Sequence, residues 1–298
     1  MRLFHNLRLS SRRLLLWTWV SIFVSSLNGN FVLAQPLSES PAASVASSNR
    51  LTRAHAHNDY LHERPLLDAL ERGFASIEAD IFLRDGQLLI GHTQLDLRPE
   101  RTLEGMYLQP LAVLVKERGG WVCTPQQPLI LLVDIKTDAA STWEALHELL
   151  LKYRDLLSET VDGKFQPRAV TVIISGNRAT ENILATRPQL AGVDGRLSDL
   201  KSSLRADEMP LLSDAWSKHF QWRGNGPMPN EEAKKLRDIV AQANSAGRIV
   251  RFWATPETVP LWQELRAAGV DLIGTDQLDR LQEFLMKDPE PKQAADKQ

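Results

Sequence analysis

Glu78 and Asp80 stand one residue apart in the run SIEADIF, residues 76–82, whose remaining members are mostly apolar. In an extended chain alternate side chains share a face, so both carboxylates point one way while Ile77, Ala79 and Ile81 point the other. Two acids held side by side at the edge of a core repel each other and lose hydration. A hard divalent cation, which selects oxygen ligands, offsets that cost. Asp134, in LILLVDIK (129–136), adds a third carboxylate on the face of Ile130, Leu132 and Lys136. The competing reading pairs these acids with Lys136 or Arg84; three acids at strand ends favour the cation. On the cation reading Glu78 is a repelled carboxylate in the apo protein, so Glu78→Gln should leave stability in chelator level or higher.

Histidines accompany the acids. His55 ends the first apolar run, and His92 follows LLIG after an Asp85-Gly86 pair. Asp-Gly between apolar stretches is a hairpin signal, which returns the chain toward Glu78 and brings His92 beside the acids. Two imidazoles flanking a phosphate can divide general-base and general-acid duty near neutral pH. On this reading His55→Ala and His92→Ala each lower turnover by roughly 100-fold or more. His57 reads as a histidine of a polar loop, and Asp276 as the N-cap of the following helix.

The elements that must position these groups alternate along the chain. Strands are expected at 53–56, 76–82, 88–90, 129–135, 169–174, 190–193, 211–213, 249–253 and 270–273. Helices are expected at 65–72, 111–118, 141–153, 231–246, 257–268 and 279–286. Strand–helix alternation implies a parallel sheet, and nine strands are close to the eight of a barrel. No Gly-x-Gly-x-x-Gly follows the first strand, which argues against a dinucleotide-binding sheet. The expected fold is a single-domain α/β TIM-type (β/α)8 barrel over residues 51–286. Its chemistry belongs at the C-terminal ends of the strands, where His55, Glu78, Asp80, His92, Asp134 and Trp253 all fall.

The flanks differ in character. Residues 1–34 hold four arginines, no acid and the apolar stretch LLLWTWVSIFVSSL, and read as a signal peptide cleaved after Ala34. The expected location is secreted or periplasmic; an uncleaved membrane anchor is the alternative. Residues 35–50 are rich in Ser, Ala and Pro and read as a linker, and 287–298 as a disordered tail. Cys123 is the only cysteine, so no intramolecular disulfide can form. The net charge is -2, and about -6 without residues 1–34, which gives no electrostatic reason to expect nucleic acid. No obligate protein partner is evident.

His-x-x-Asn from His55, Glu78-x-Asp80, Asp85-Gly-x5-His92 and Asp134-x-Lys136 occur in the order seen in the phospholipase C-like phosphodiesterase superfamily. The chain resembles that superfamily from His55 to about Gln282. It includes glycerophosphodiester phosphodiesterases and phosphatidylinositol-specific phospholipase C. The run HAHNDY…PLLDAL…SIEADIF resembles the branch of the altered-inheritance-of-mitochondria protein. The resemblance implies a phosphoric diester hydrolase with His55 and His92 as the catalytic pair. Glu78, Asp80 and Asp134 would bind Mg or Ca, and Asn58, Lys136 and Trp253 would contact the substrate. The substrate would be a glycerophosphodiester-type or lipid headgroup phosphodiester, with transient contact to a membrane surface and a cyclic phosphate as intermediate. The chain departs from the glycerophosphodiesterase pattern at Ala56-His57 and at Thr93, which weakens glycerophosphodiester itself as substrate. Two other readings stay open. One is an amidohydrolase-type barrel using His55-x-His57 as metal ligands; the other is a barrel that binds phosphorylated headgroups without cleaving them.

Overall fold

The computed structural model describes residues 50–123 and 126–287. The expected signal peptide, all but the last residue of the expected linker, and the expected tail beyond Lys287 lie outside the described residues.

Eleven strands are present among the described residues: β1 Leu51–Ala56, β2 Phe74–Arg84, β3 Gln87–Ile90, β4 Leu129–Ile135, β5 Glu159–Val161, β6 Lys164–Gln166, β7 Val170–Gly176, β8 Ala191–Gly195, β9 Leu211–Ala215, β10 Ile249–Trp253 and β11 Leu272–Thr275. Parallel pairing runs β1–β2–β4–β7–β8–β9–β10–β11 and returns to β1, so eight strands close into a barrel. The helices are α1 Leu67–Glu71, α2 Gln109–Glu117, α3 Ala139–Lys152, α4 Thr180–Ala185, α5 Trp216–His219, α6 Asn230–Ser245, α7 Val259–Ala267 and α8 Leu278–Met286.

The ninth expected strand, β3, is not a stave. It folds back antiparallel on β2 with Arg84 opposite Gln87 and Ile81 opposite Ile90. Asp85 and Gly86 both have positive φ (50° and 76°), as a two-residue hairpin turn requires. The hairpin β5–β6 was not expected, although Asp162-Gly163 is the same signal with the same positive φ pair (51° and 73°). Its strands have three residues each and β6 is fully exposed, so no apolar run marks it. The connection after His92 contains a π-helical turn at Glu104–Leu108 running into α2.

The residues facing inward divide by height. Leu132, Ile173, Leu211 and Leu272, with Ile130 and Ile249, fill the barrel's N-terminal half as a small apolar cluster of their own. Above them, toward the C-terminal strand ends, buried polar groups take over: His55, Ser76, Glu78, Asp80, Ser175, Asp194, Ser213 and Arg251. The outward set, including Ile77, Ala79, Leu131 and Val133, joins the large core under the helices. The apolar floor plugs the barrel, and only the upper layer can meet a ligand.

Candidate active site

Register sets the depth of each group. Glu78 pairs with Leu132 and Asp80 with Asp134 across the β2–β4 ladder, so the acids follow one another up the inner wall. Oxygens of Glu78, Asp80 and Asp134 lie within 4.8 Å of one another. Asp80 Oδ1 is buried and accepts no hydrogen bond from any described residue. Burial and the charge of Glu78 push the Asp80 carboxyl up. Burial, opposed by Lys136 and reinforced by the charges of Asp80 and Glu78, pushes Asp134 up to about 6. Mutually raised carboxyls with an unused buried oxygen fit a hard divalent cation.

Glu78 differs from its two neighbours. Its Oε2 lies 2.7 Å from Arg251 Nη2 and 2.9 Å from His55 Nε2. Burial alone would raise this carboxyl, but Arg251 and His55 hold it well below the usual range. Glu78 is therefore ion-paired from within the barrel, by a cation on β10 that the sequence reading did not consider. Lys136 serves Asp80 and Asp134, 3.0 Å and 3.1 Å away, whereas Arg84 is exposed at the hairpin turn. The ion-pair reading was thus right in kind for Glu78 and wrong in partner.

His55 lies beneath the mouth. It is fully buried, with Nδ1 2.7 Å from Ser76 Oγ and Nε2 2.9 Å from Glu78 Oε2. Burial and Arg251 lower it to about 4, so it is neutral at neutral pH. Its partners select the Nε2–H tautomer, donating to Glu78 and accepting from Ser76. Both nitrogens are occupied, which leaves none for a substrate. The structure thus places His55, expected as an acid–base group, one layer below the residues of the mouth.

His57, two residues on, occupies the height of Glu78, since His55 is in register with Ser76. Its side chain is 34% exposed, and its Nδ1 lies 2.7 Å from Asp276 Oδ1. Burial would lower its pKa, but the hydrogen bond to Asp276 and the field of Glu78 raise it overall. Asp276 is not an N-cap: Gln277 precedes α8, with no side-chain cap. The signal for this pair was available, since His55, His57 and Asp276 all fall at adjoining strand ends.

Asn58 adopts a left-handed conformation (φ 48°, ψ 36°). Its amide lies 3.3 Å from Asp276 Oδ1, and its Oδ1 is 2.7 Å from the Tyr60 hydroxyl. Asn58 thus braces the His57–Asp276 pair. Tyr60, which sequence reasoning passed over, also lies 2.8 Å from Asp80 Oδ2. His92 arrives on the β3 hairpin as expected, its Nδ1 3.3 Å from Asp80 Oδ2 and its side chain 57% exposed. Trp253 shares a cavity of about 150 Å³ with His57, Arg251 and Asp276, and Lys218 lies 5.7 Å over its ring.

Gly176 ends β7 with φ 68°, where a Cβ would collide with Asp134 Oδ1 and with the backbone of Ile135. Gly176→Ala should cost about 1–3 kcal/mol from the left-handed backbone alone. It should also displace Asp134. Thermal unfolding with and without Mg is expected to show a lower melting temperature and a smaller metal-induced rise.

Comparison with known proteins follows this geometry. Residues 46–189 match the family model of the AIM6-like phosphodiesterase domain. Altered inheritance of mitochondria protein 6 of Eremothecium gossypii is 28% identical over 274 residues, covering 78% of this chain and 69% of that protein. The homolog from Arthroderma benhamiae is 27% identical over 255 residues, covering 76% and 81%. A glycerophosphodiester phosphodiesterase from Parabacteroides distasonis has a TM-score of 0.52 at 17% identity, covering 80% of this chain and 99% of that one. A calcium-dependent phosphoinositol-specific phospholipase C from a Pseudomonas species has a TM-score of 0.50 at 14% identity, covering 80% and 95%. At such identities the structural likeness shows the fold alone. The matched family model, the ordered motifs and the closed barrel agree: over residues 46–189 the chain is similar to the AIM6-like phosphodiesterase domain.

Proposed function

We propose that the chain is a metal-dependent phosphoric diester hydrolase whose acid–base pair is His57 and His92. The observation that carries this reading is the carboxylate trio, with an Asp80 Oδ1 that no described residue partners, near a half-buried His57 and an exposed His92. Glu78, Asp80 and Asp134 would hold Mg or Ca, which when bound supplies positive charge for the non-bridging oxygens of the phosphate. The name of the Pseudomonas phospholipase, calcium-dependent, is in keeping with such a site.

His57 Nδ1 is held by Asp276, so Nε2 is the nitrogen left to take a proton from the attacking hydroxyl. A new P–O bond forms as the bond to the leaving oxygen breaks. His92, Nδ1 toward Asp80 and Nε2 free, gives the leaving oxygen its proton. Lys136 balances charge beside Asp80 and Asp134, and Trp253 offers an apolar wall to the substrate. Where the substrate carries a neighbouring hydroxyl, that hydroxyl is the nucleophile, and a cyclic phosphate forms and is hydrolysed or released.

The amidohydrolase reading has less support. Among the described residues the one metal-competent grouping of His, Cys, Asp and Glu contains no histidine. Product analysis by mass spectrometry and phosphorus NMR over a panel of phosphodiesters tests the proposal. Cleavage of a P–O bond in at least one hydroxyl-bearing diester, with a cyclic phosphate or its hydrolysis product, is expected. A panel that binds and is never cleaved would support a headgroup binder instead.

A further inference from the structure

Beside the acids a second cavity, about 530 Å³, opens between the ends of β4 and β7. Gln94, Lys136, Thr137, Asp138, Asn177 and Arg178 line it. Lys136 lines this cavity and pairs with Asp80 and Asp134 of the carboxylate trio, so a group in the cavity adjoins one held at the acids.

Its charges are unequal in availability. Asp138, the only acid in the lining, caps α3: its Oδ1 lies 3.0 Å from the Ser141 amide and 2.7 Å from Ser141 Oγ. Lys136 is drawn to Asp80 and Asp134. Arg178 has no carboxylate within ion-pair distance among the described residues, and its side-chain hydrogen bond goes to the Gly176 carbonyl at 3.2 Å. Burial and the nearby Arg196 both work against its charge, with Asp194, Asp199 and Asp134 compensating only in part. A guanidinium's other donors, set in a planar fork, match a phosphate or carboxylate.

The segment that presents Arg178 is pinned. The Asn177 amide donates to Ile135 O (2.8 Å), Asn177 Nδ2 to Thr137 O (3.1 Å), and the Arg178 amide to Gly176 O (3.1 Å). The guanidinium is therefore displayed from a fixed backbone, which lowers the ordering cost of binding an anion.

We propose that Arg178 reads a second anionic group on the substrate, so that preferred diesters carry a phosphate or carboxylate in addition to the scissile phosphate. This rests on the phosphodiesterase reading for where the first phosphate binds. A headgroup with a cation in that place would meet Arg178 and be disfavoured.

Calorimetric titration of the full chain in Mg, at low ionic strength, tests the subsite without turnover. The probes are bisphosphates of straight-chain diols with three to six carbons, each against its monophosphate. At least one bisphosphate should bind about tenfold more tightly than its monophosphate, the scale of one charge-assisted contact. In Arg178→Gln that advantage should vanish while monophosphate affinity stays level, and Arg178→Lys should restore part of it. No ion pair is broken by these variants, so melting temperatures should match the wild type. A bisphosphate advantage absent in the wild type, or unchanged in Arg178→Gln for every spacer, overturns the proposal. A chain that cleaves no diester would contradict the phosphodiesterase reading and still report this ratio.

Discussion

Replacing His57 with Ala is expected to lower turnover by roughly 100-fold or more, the usual scale for an acid–base group. The fold should persist, because the side chain is 34% exposed and its one strong partner, Asp276, is 52% exposed. Asp276→Asn should also reduce activity, and it adds a diagnostic change in pH dependence. Asp276 helps to raise the His57 pKa in the wild type, and a base must be deprotonated to act. The acidic limb of kcat/KM should therefore move to lower pH in Asp276→Asn. His55→Ala should act differently. It leaves Glu78 and Ser76 without their buried partner, so its chief effect is on stability. A pH–rate profile for the three variants separates these roles. Near-normal turnover in His57→Ala, with collapse in a well-folded His55→Ala, would return the catalytic role to His55.

Glu78→Gln and Asp134→Asn should have opposite effects on stability in chelator. The amide at Glu78 leaves Arg251, 4% exposed, as an uncompensated buried cation, a loss of roughly 3–5 kcal/mol. This reverses the expectation from sequence, where Glu78 was a repelled carboxylate with no partner. Asp134 is a repelled carboxylate that Lys136, 3.1 Å away, offsets only in part. Its folded-state pKa near 6 exceeds the ordinary carboxylate value, so the folded protein binds a proton more readily than the unfolded chain. Stability without metal should then fall as pH rises from about 4 to 6, and stay reduced above that window. Asp134→Asn removes that penalty and should raise stability at neutral pH by roughly 1–3 kcal/mol. Both variants should lose most of the metal-induced rise in melting temperature, since the cation stabilises by binding the folded state. Thermal unfolding of the three proteins in chelator and in millimolar Mg or Ca measures both effects. A Glu78→Gln protein as stable as the wild type in chelator would remove the Arg251 pair from this account.

The barrel was legible because its signals are local. Two-residue alternation in SIEADIF and LILLVDIK gave the inner face, and Asp85-Gly86 gave the hairpin that carries His92. Strands β4 and β10 appear with the boundaries expected. What escaped depends on contacts between distant strands. Arg251 is a single charged residue in the apolar strand IVRFW, and only closure of β10 and β11 onto β1 brings it to Glu78. The height of His55 relative to His57 is a matter of register between β1 and β2, which sequence periodicity does not give. The sequence ends the strand at residue 56 and leaves His57 reading as part of a polar loop, so only His55 stands out as a strand-end histidine. Asp276 was misread for a related reason: a carboxylate just before a helix has the local signature of a cap, and its partner is 219 residues away. The β5–β6 hairpin was lost because its strands are too short and polar to register as apolar runs.

If Glu78, Asp80 and Asp134 hold a divalent cation that supports phosphodiester cleavage, activity must follow the metal. The most direct measurement is turnover of bis(4-nitrophenyl) phosphate by exhaustively chelated protein, followed by stepwise return of Mg or Ca, in the wild type and in Asp134→Asn. Negligible cleavage is expected in chelator and saturable recovery with added metal, with no recovery in Asp134→Asn. Undiminished turnover in chelator, or equal recovery in Asp134→Asn, would contradict it.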